Sequence, residues 1–172
     1  LHGAHATNPY DNLSAVVQTA ADMLRDRGCS EVTRVAADPS ELQACVEAQE
    51  PAVEGAPHPR TAVFLLPVDR ISVKQVRAVL RDYPTLDVAV LVSLEGPTSF
   101  AKKEVDATCR ERLHFFTFKE LTYNVTRHHL VPIHRLASAA VAAALDPARL
   151  PKLLATDPVA RYYNFRPGDV VE

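Results

Sequence analysis

Glycine is scarce, with five in 172 residues. Neither GxGxxG nor GxxxxGK[ST] can be found among them, which excludes the backbone-amide cradles that hold nucleotide phosphates. Tryptophan is absent and methionine occurs once. The three cysteines, Cys29, Cys45 and Cys109, are far apart and form no CxxC. That argues against a disulfide framework or a zinc knuckle and for a reducing compartment. No apolar run approaches the roughly 20 residues needed to cross a bilayer, so no membrane partner is expected. An excess of basic charge is missing too: 19 Lys and Arg face 21 Asp and Glu, for a net charge of −2. A free-standing nucleic-acid binder carries a global basic field. Here any contact with DNA or RNA needs a local patch or a larger assembly.

Catalytic signatures are missing as well. There is no GxSxG elbow, and no Ser or Cys stands at a strand-to-helix turn. Cys29, just past a helix-ending glycine, reads as the most exposed thiol, and as a small apolar filler rather than a nucleophile. Seven histidines are present, with His128, His129 and His134 close in sequence. Adjacent helical positions point about 100° apart, so His128 and His129 are poorly placed to share a metal, and no HExxH supports them. The expectation is no catalytic residue, metal, cofactor or small-molecule substrate. The opening Leu1-His2-Gly3-Ala4-His5 has no initiator Met and no signal-peptide core, the expected mark of a trimmed terminus.

What is present is a globular composition, 47% hydrophobic, enough for one large domain or two small ones. Asn8-Pro9 predicts a helix start, and Tyr10, Leu13, Val17, Ala20 and Leu24 mark one face of that helix, closed by Gly28. Asp38-Pro39-Ser40-Glu41 predicts a second, shorter helix that turns Leu42, Cys45 and Val46 inward. Residues 49–60 (QEPAVEGAPHPR) read as a loop. Buried strands are then expected at 61–66 (TAVFLL), 87–92 (DVAVLV) and 113–118 (LHFFTF), separated by helices over 72–83 and 99–112. Such alternation builds βαβ units and a mainly parallel sheet covered on both faces. Thr117 and Glu120 have capping-box spacing and predict a helix from 119 to 128.

Pro132, in the segment LVPIH, ends that helix. Beyond it an alanine-rich stretch, 138–145, precedes Asp146-Pro147 and Leu150-Pro151. Asp157-Pro158 then predicts a short helix, followed by a turn at 164–168, where Asn164 can take the left-handed conformation. Val170-Val171 reads as the start of a strand whose partner lies outside the sequence. The reading is two domains, 1–129 and 135–172, joined by a linker at 130–134.

One loop has the character of a backbone reader of nucleic acid. Gly96-Pro97-Thr98-Ser99-Phe100-Ala101-Lys102-Lys103 sets hydroxyls and amides at a helix start, with two lysines in the first turn. Unpaired N–H groups and the positive end of a helix suit a phosphate oxygen. A capped surface helix with solvated lysines is the plainer alternative.

At LVPIH and LPKLLATDPVARYYNFRPGDVVE the chain resembles the fifth, shared subunit of eukaryotic nuclear RNA polymerases, whose C-terminal half is similar to a small component of the archaeal polymerase. The residues that carry the resemblance are Leu130, Val131, Pro132 and His134, then Leu150, Pro151 and Lys152. They continue with Asp157-Pro158-Val159-Ala160-Arg161-Tyr162, Gly168, Val170 and Val171. More loosely, residues 23–28, 99–103 and 120–128 fall in register with the family's N-terminal half. Departures include Ile133 where the family has an acid, the less basic turn at 164–169, the alanine-rich 138–145, and an end inside the strand that the family continues.

The resemblance implies an α+β chain: an N-terminal jaw with a mixed or parallel sheet of nuclease-like architecture, and a small α+β C-terminal assembly domain. It implies a non-catalytic subunit of a nuclear DNA-directed RNA polymerase, in nucleoplasm or nucleolus. The C-terminal domain would bind the largest subunit through His134, Leu150, Pro151, Asp157, Pro158, Arg161, Tyr162, Gly168 and Val170, with other polymerase subunits nearby. The jaw would lie beside downstream duplex DNA, touching its backbone weakly through Pro97, Thr98, Ser99, Lys102 and Lys103. The alternative, a nuclease-like DNA-processing enzyme, needs gathered carboxylates for Mg²⁺. Asp87 begins one strand, but LHFFTF supplies no acid.

Overall fold

The computed structural model describes residues 12–29, 32–35, 44–49, 60–109 and 111–172. The chain divides into two compact units, Leu1–Tyr123 and Asn124–Glu172. The break falls ahead of the expected linker, and LVPIH lies within the second unit.

In the first unit, α1 (Leu13–Asp26) precedes β1 (Thr33–Val35), β2 (Ala44–Gln49) and β3 (Arg60–Leu65). Then α2 (Val73–Asp82), β4 (Val88–Ser93), α3 (Ser99–Thr108), β5 (Leu113–Thr117) and the single turn α4 (Phe118–Leu121) follow. The five strands form one mixed sheet in sequential order. β1–β2 and β2–β3 are antiparallel, whereas β3–β4 and β4–β5 are parallel. Successive side chains on a strand face opposite ways, so Ala62 and Phe64, Ala89 and Leu91, and Leu113 share one face. They pack with Val76 and Val79 of α2 and with Ala101 and Val105 of α3. Val63, Leu65, Val90, Val92 and Phe116, also buried, take the other face. There α1 packs against β2 and α4.

The expected strands and helix α2 form close to where the local pattern places them, and α3 starts where expected. Gly28, at φ +89°, ends α1 as expected. The helix buries Val16, Ala20, Met23 and Leu24, while Leu13 and Val17 are only half-buried. Asn8, Pro9 and Tyr10 lie outside the described residues, as do Asp38 to Leu42 and most of the expected loop over 49–60.

Several expectations are corrected. The predicted helix through Cys45 and Val46 is a strand, β2, paired across its whole length with β3. Local helix preference yields to ladder bonds from a distant segment. The sheet is therefore mixed rather than mainly parallel. Helix α3 stops at Thr108 instead of Arg112, since Cys109 takes up the N–H groups of Arg112 and Leu113 in a turn. The helix predicted over 119–128 is one turn only. Its capping box forms as read, with Thr117 N–H donating to Glu120 Oε2 at 2.7 Å and Glu120 N–H donating to Thr117 Oγ1 at 3.2 Å. But Asn124 Oδ1 then captures the Thr126 N–H (3.0 Å) and hydroxyl (2.6 Å), closing a side-chain turn that competes with helix. Cys29 is buried, not exposed.

In the second unit, a 3₁₀ turn at Val125–Arg127 leads through LVPIH to α5 (Ala139–Ala144), a 3₁₀ turn at Pro147–Arg149 and α6 (Pro158–Tyr163). Where the sequence predicts a strand start with an outside partner, Val171 forms an isolated antiparallel bridge with Leu136 of the same chain. Arg135 and Glu172 exchange both backbone bonds, at 2.8 and 2.9 Å. Non-local pairing of this kind leaves no local sequence signal.

Candidate functional site

The loop before α3 is held by its neighbour. Ile71 forms a parallel bridge with Pro97, its N–H donating to the Gly96 carbonyl (3.0 Å) while the Thr98 N–H donates to the Ile71 carbonyl (2.9 Å). Gly96 sits at φ +84°, a conformation suited to glycine. Its N–H donates to the buried Ser93 Oγ at 3.0 Å. Thr98 caps the helix by accepting from the Ala101 N–H at 3.2 Å. The amides of Ser99 and Phe100 have no intrahelical acceptor, as at any helix start. Pro97 and Thr98 are half-buried, whereas Ser99, Phe100, Lys102 and Lys103 are exposed.

Both flanking acids are engaged. Arg70 Nε meets Glu95 Oε2 at 2.7 Å, and Arg77 grips Glu104 Oε1 with Nε and Nη2 at 2.9 and 2.8 Å. Among the described residues Lys102 and Lys103 make no ion pair. The two lysines are balanced in part by Asp69 and Asp106, which are exposed in the Arg70 loop and in α3. Arg70 was not legible as a neighbour, because the Ile71–Pro97 bridge that brings its loop to Glu95 is not a sequence feature.

In the second unit the motif residues divide into two sets. Asp157 caps α6, accepting from the amides of Val159 (2.8 Å) and Ala160 (3.4 Å), with Pro158 in the first helical turn. Tyr162 is 2% exposed, and its hydroxyl accepts from Asn124 Nδ2 at 2.8 Å. Asn164 ends the helix in the left-handed region (φ 59°, ψ 38°), and Gly168 turns at φ +99°. These residues build the unit. Leu150, Pro151, Gly168 and Val170 line an open groove of about 510 Å³ together with Leu153, Leu154 and Phe165. Arg161 and His134 are half-exposed, and His134 Nδ1 lies 2.7 Å from the Pro132 carbonyl.

The unit's apolar surface was missed in the sequence. Leu130 is 76% exposed, Ile133 73% and Leu154 69%, while Ala137, Val159, Ala160 and Tyr162 are its buried hydrophobic residues. Among the described residues no group of three or more His, Cys, Asp or Glu side chains comes together as a metal site. No helix among them is long and apolar enough to cross a membrane.

The family profile described as RNA polymerase Rpb5, C-terminal domain, matches residues 123–172. The chain is 32% identical over 119 residues to the subunit RPABC1 of DNA-directed RNA polymerases I, II and III from Caenorhabditis elegans, covering 64% of this chain and 56% of that protein. With the corresponding Dictyostelium discoideum subunit the identity is 30% over 122 residues, covering 64% and 61%. The chain therefore spans somewhat over half the length of these eukaryotic relatives. With DNA-directed RNA polymerase subunit Rpo5 of Pyrococcus horikoshii it is 38% identical over 56 residues, 29% of this chain and 68% of that protein. Among solved structures, the MspJI restriction endonuclease in complex with a 27-mer oligonucleotide superposes with a TM-score of 0.48 at 14% identity, covering 71% of this chain and 28% of that one. The modification-dependent restriction endonuclease AspBHI gives 0.42 at 16%, covering 66% and 31%. The profile match falls on the unit that begins at Asn124, and the archaeal subunit is matched over two thirds of its length. On these grounds the chain belongs to the Rpb5/Rpo5 family of DNA-directed RNA polymerase subunits.

Proposed function

We propose that the chain serves as a non-catalytic structural subunit of a nuclear DNA-directed RNA polymerase. The domain division expected from sequence carries over as two roles: the C-terminal part anchors to the largest subunit and contacts other subunits, and the N-terminal part stands as a jaw beside downstream DNA. The observation that carries the anchoring role is the exposed aliphatic surface of the second unit, Leu130, Ile133 and Leu154 above all. Large aliphatic side chains left in water cost free energy and support a reading as interface residues, and a unit this small gains much of its stability from what covers it. Of the proposed contact residues, His134, Leu150, Pro151, Arg161 and Val170 meet the partner directly. Asp157, Pro158, Tyr162 and Gly168 set the shape that the partner reads.

The DNA role rests on the start of α3, where Pro97, Thr98, Ser99, Lys102 and Lys103 face a phosphate backbone weakly, the large subunits supplying most of the basic field. Affinity purification of the tagged chain tests the reading. The largest polymerase subunit is expected to co-purify in stoichiometric amount, and Ile133→Asp with Leu154→Asp is expected to abolish its recovery. Arg161→Ala should weaken retention, as Arg at an interface centre often does. Recovery of the chain as a monomer that turns over a substrate would overturn the proposal. Changing Lys102 and Lys103 to Glu should leave assembly intact and flatten the salt dependence of downstream DNA binding by about one to two phosphate contacts. An unchanged salt slope removes the DNA contact.

A further inference from the structure

We draw no further inference here: the strongest candidate, the open groove of the second unit lined by Leu145, Leu150, Leu153, Leu154, Phe165 and Val170, belongs to the docking surface already described, and nothing in the structure shows what covers it.

Discussion

Replacing Tyr162 by Phe removes one oxygen from the interior of the second unit and nothing else. The ring is 2% exposed and its hydroxyl accepts from Asn124 Nδ2 at 2.8 Å. A neutral hydrogen bond of this kind contributes about 1 kcal/mol net. Asn124 is half-buried, so water can replace the lost oxygen and the upper range for a stranded donor does not apply. Tyr162→Ala removes the ring as well, and an aromatic truncated in a core costs about 3–5 kcal/mol. At roughly 0.05–0.15 kcal/mol per residue, the unit Asn124–Glu172 holds only a few kcal/mol of its own, so the alanine variant should abolish its packing. Native-state hydrogen exchange of the full chain reads both effects, with amides of β3 to β5 as the internal reference. Tyr162→Phe should lower protection of the Pro158–Tyr163 helix about fivefold, the equivalent of 1 kcal/mol. Tyr162→Ala should remove it. If the alanine variant keeps the protection of that helix, Tyr162 is not the keystone of the unit, and the division of its motif into builders and contacts fails.

Asp157→Ala should destabilise the same helix by about 1 kcal/mol through loss of its cap, read in the same exchange experiment; an unchanged helix refutes the capping role. Gly28 is at φ +89° with open space where a Cβ would go, so Gly28→Ala should cost about 1–2 kcal/mol from backbone strain alone, and Gly28→Asn distinctly less, in urea titrations. Burial pushes the Cys109 thiol pKa up. The folded protein therefore holds its proton more tightly than the unfolded chain does, and this contribution to stability is present below the unfolded thiol's pKa and fades as pH rises past it. Iodoacetamide at neutral pH should leave Cys109 unlabelled until urea is added; rapid labelling of the native protein would show that the thiol is open.

Legibility followed the range of the interaction. Strands β3, β4 and β5 are short apolar runs whose neighbours are set by the helices between them, so TAVFLL and its counterparts declare themselves. The Thr117–Glu120 box, the Asp157-Pro158 start and the left-handed Asn164 each depend on atoms within four residues, and each forms as the residues predict. ACVEAQ fails that test. Its residues favour helix locally, and only the ladder with residues 60–65 makes it a strand. The pairing of 135–137 with 170–172 fails for the same reason, as does the early end of the helix after Thr117, where Asn124 competes for backbone donors while its amide nitrogen is bonded to Tyr162.

Burial proved the harder inference, and it changes what an interface mutation means in this family member. A motif such as DPVARY reads as a row of contact residues, yet Asp157 spends its carboxylate on backbone amides and Tyr162 is inside. Loss of partner binding on changing either would report a collapsed unit as readily as a lost contact. Leu130, Ile133 and Leu154 show no such ambiguity. With most of each side chain in solvent, replacing them cannot open a cavity, and converting them to Asp should if anything ease the cost of exposing them in the free chain. A partner lost by those variants, with the protection of α6 intact, is lost from the surface.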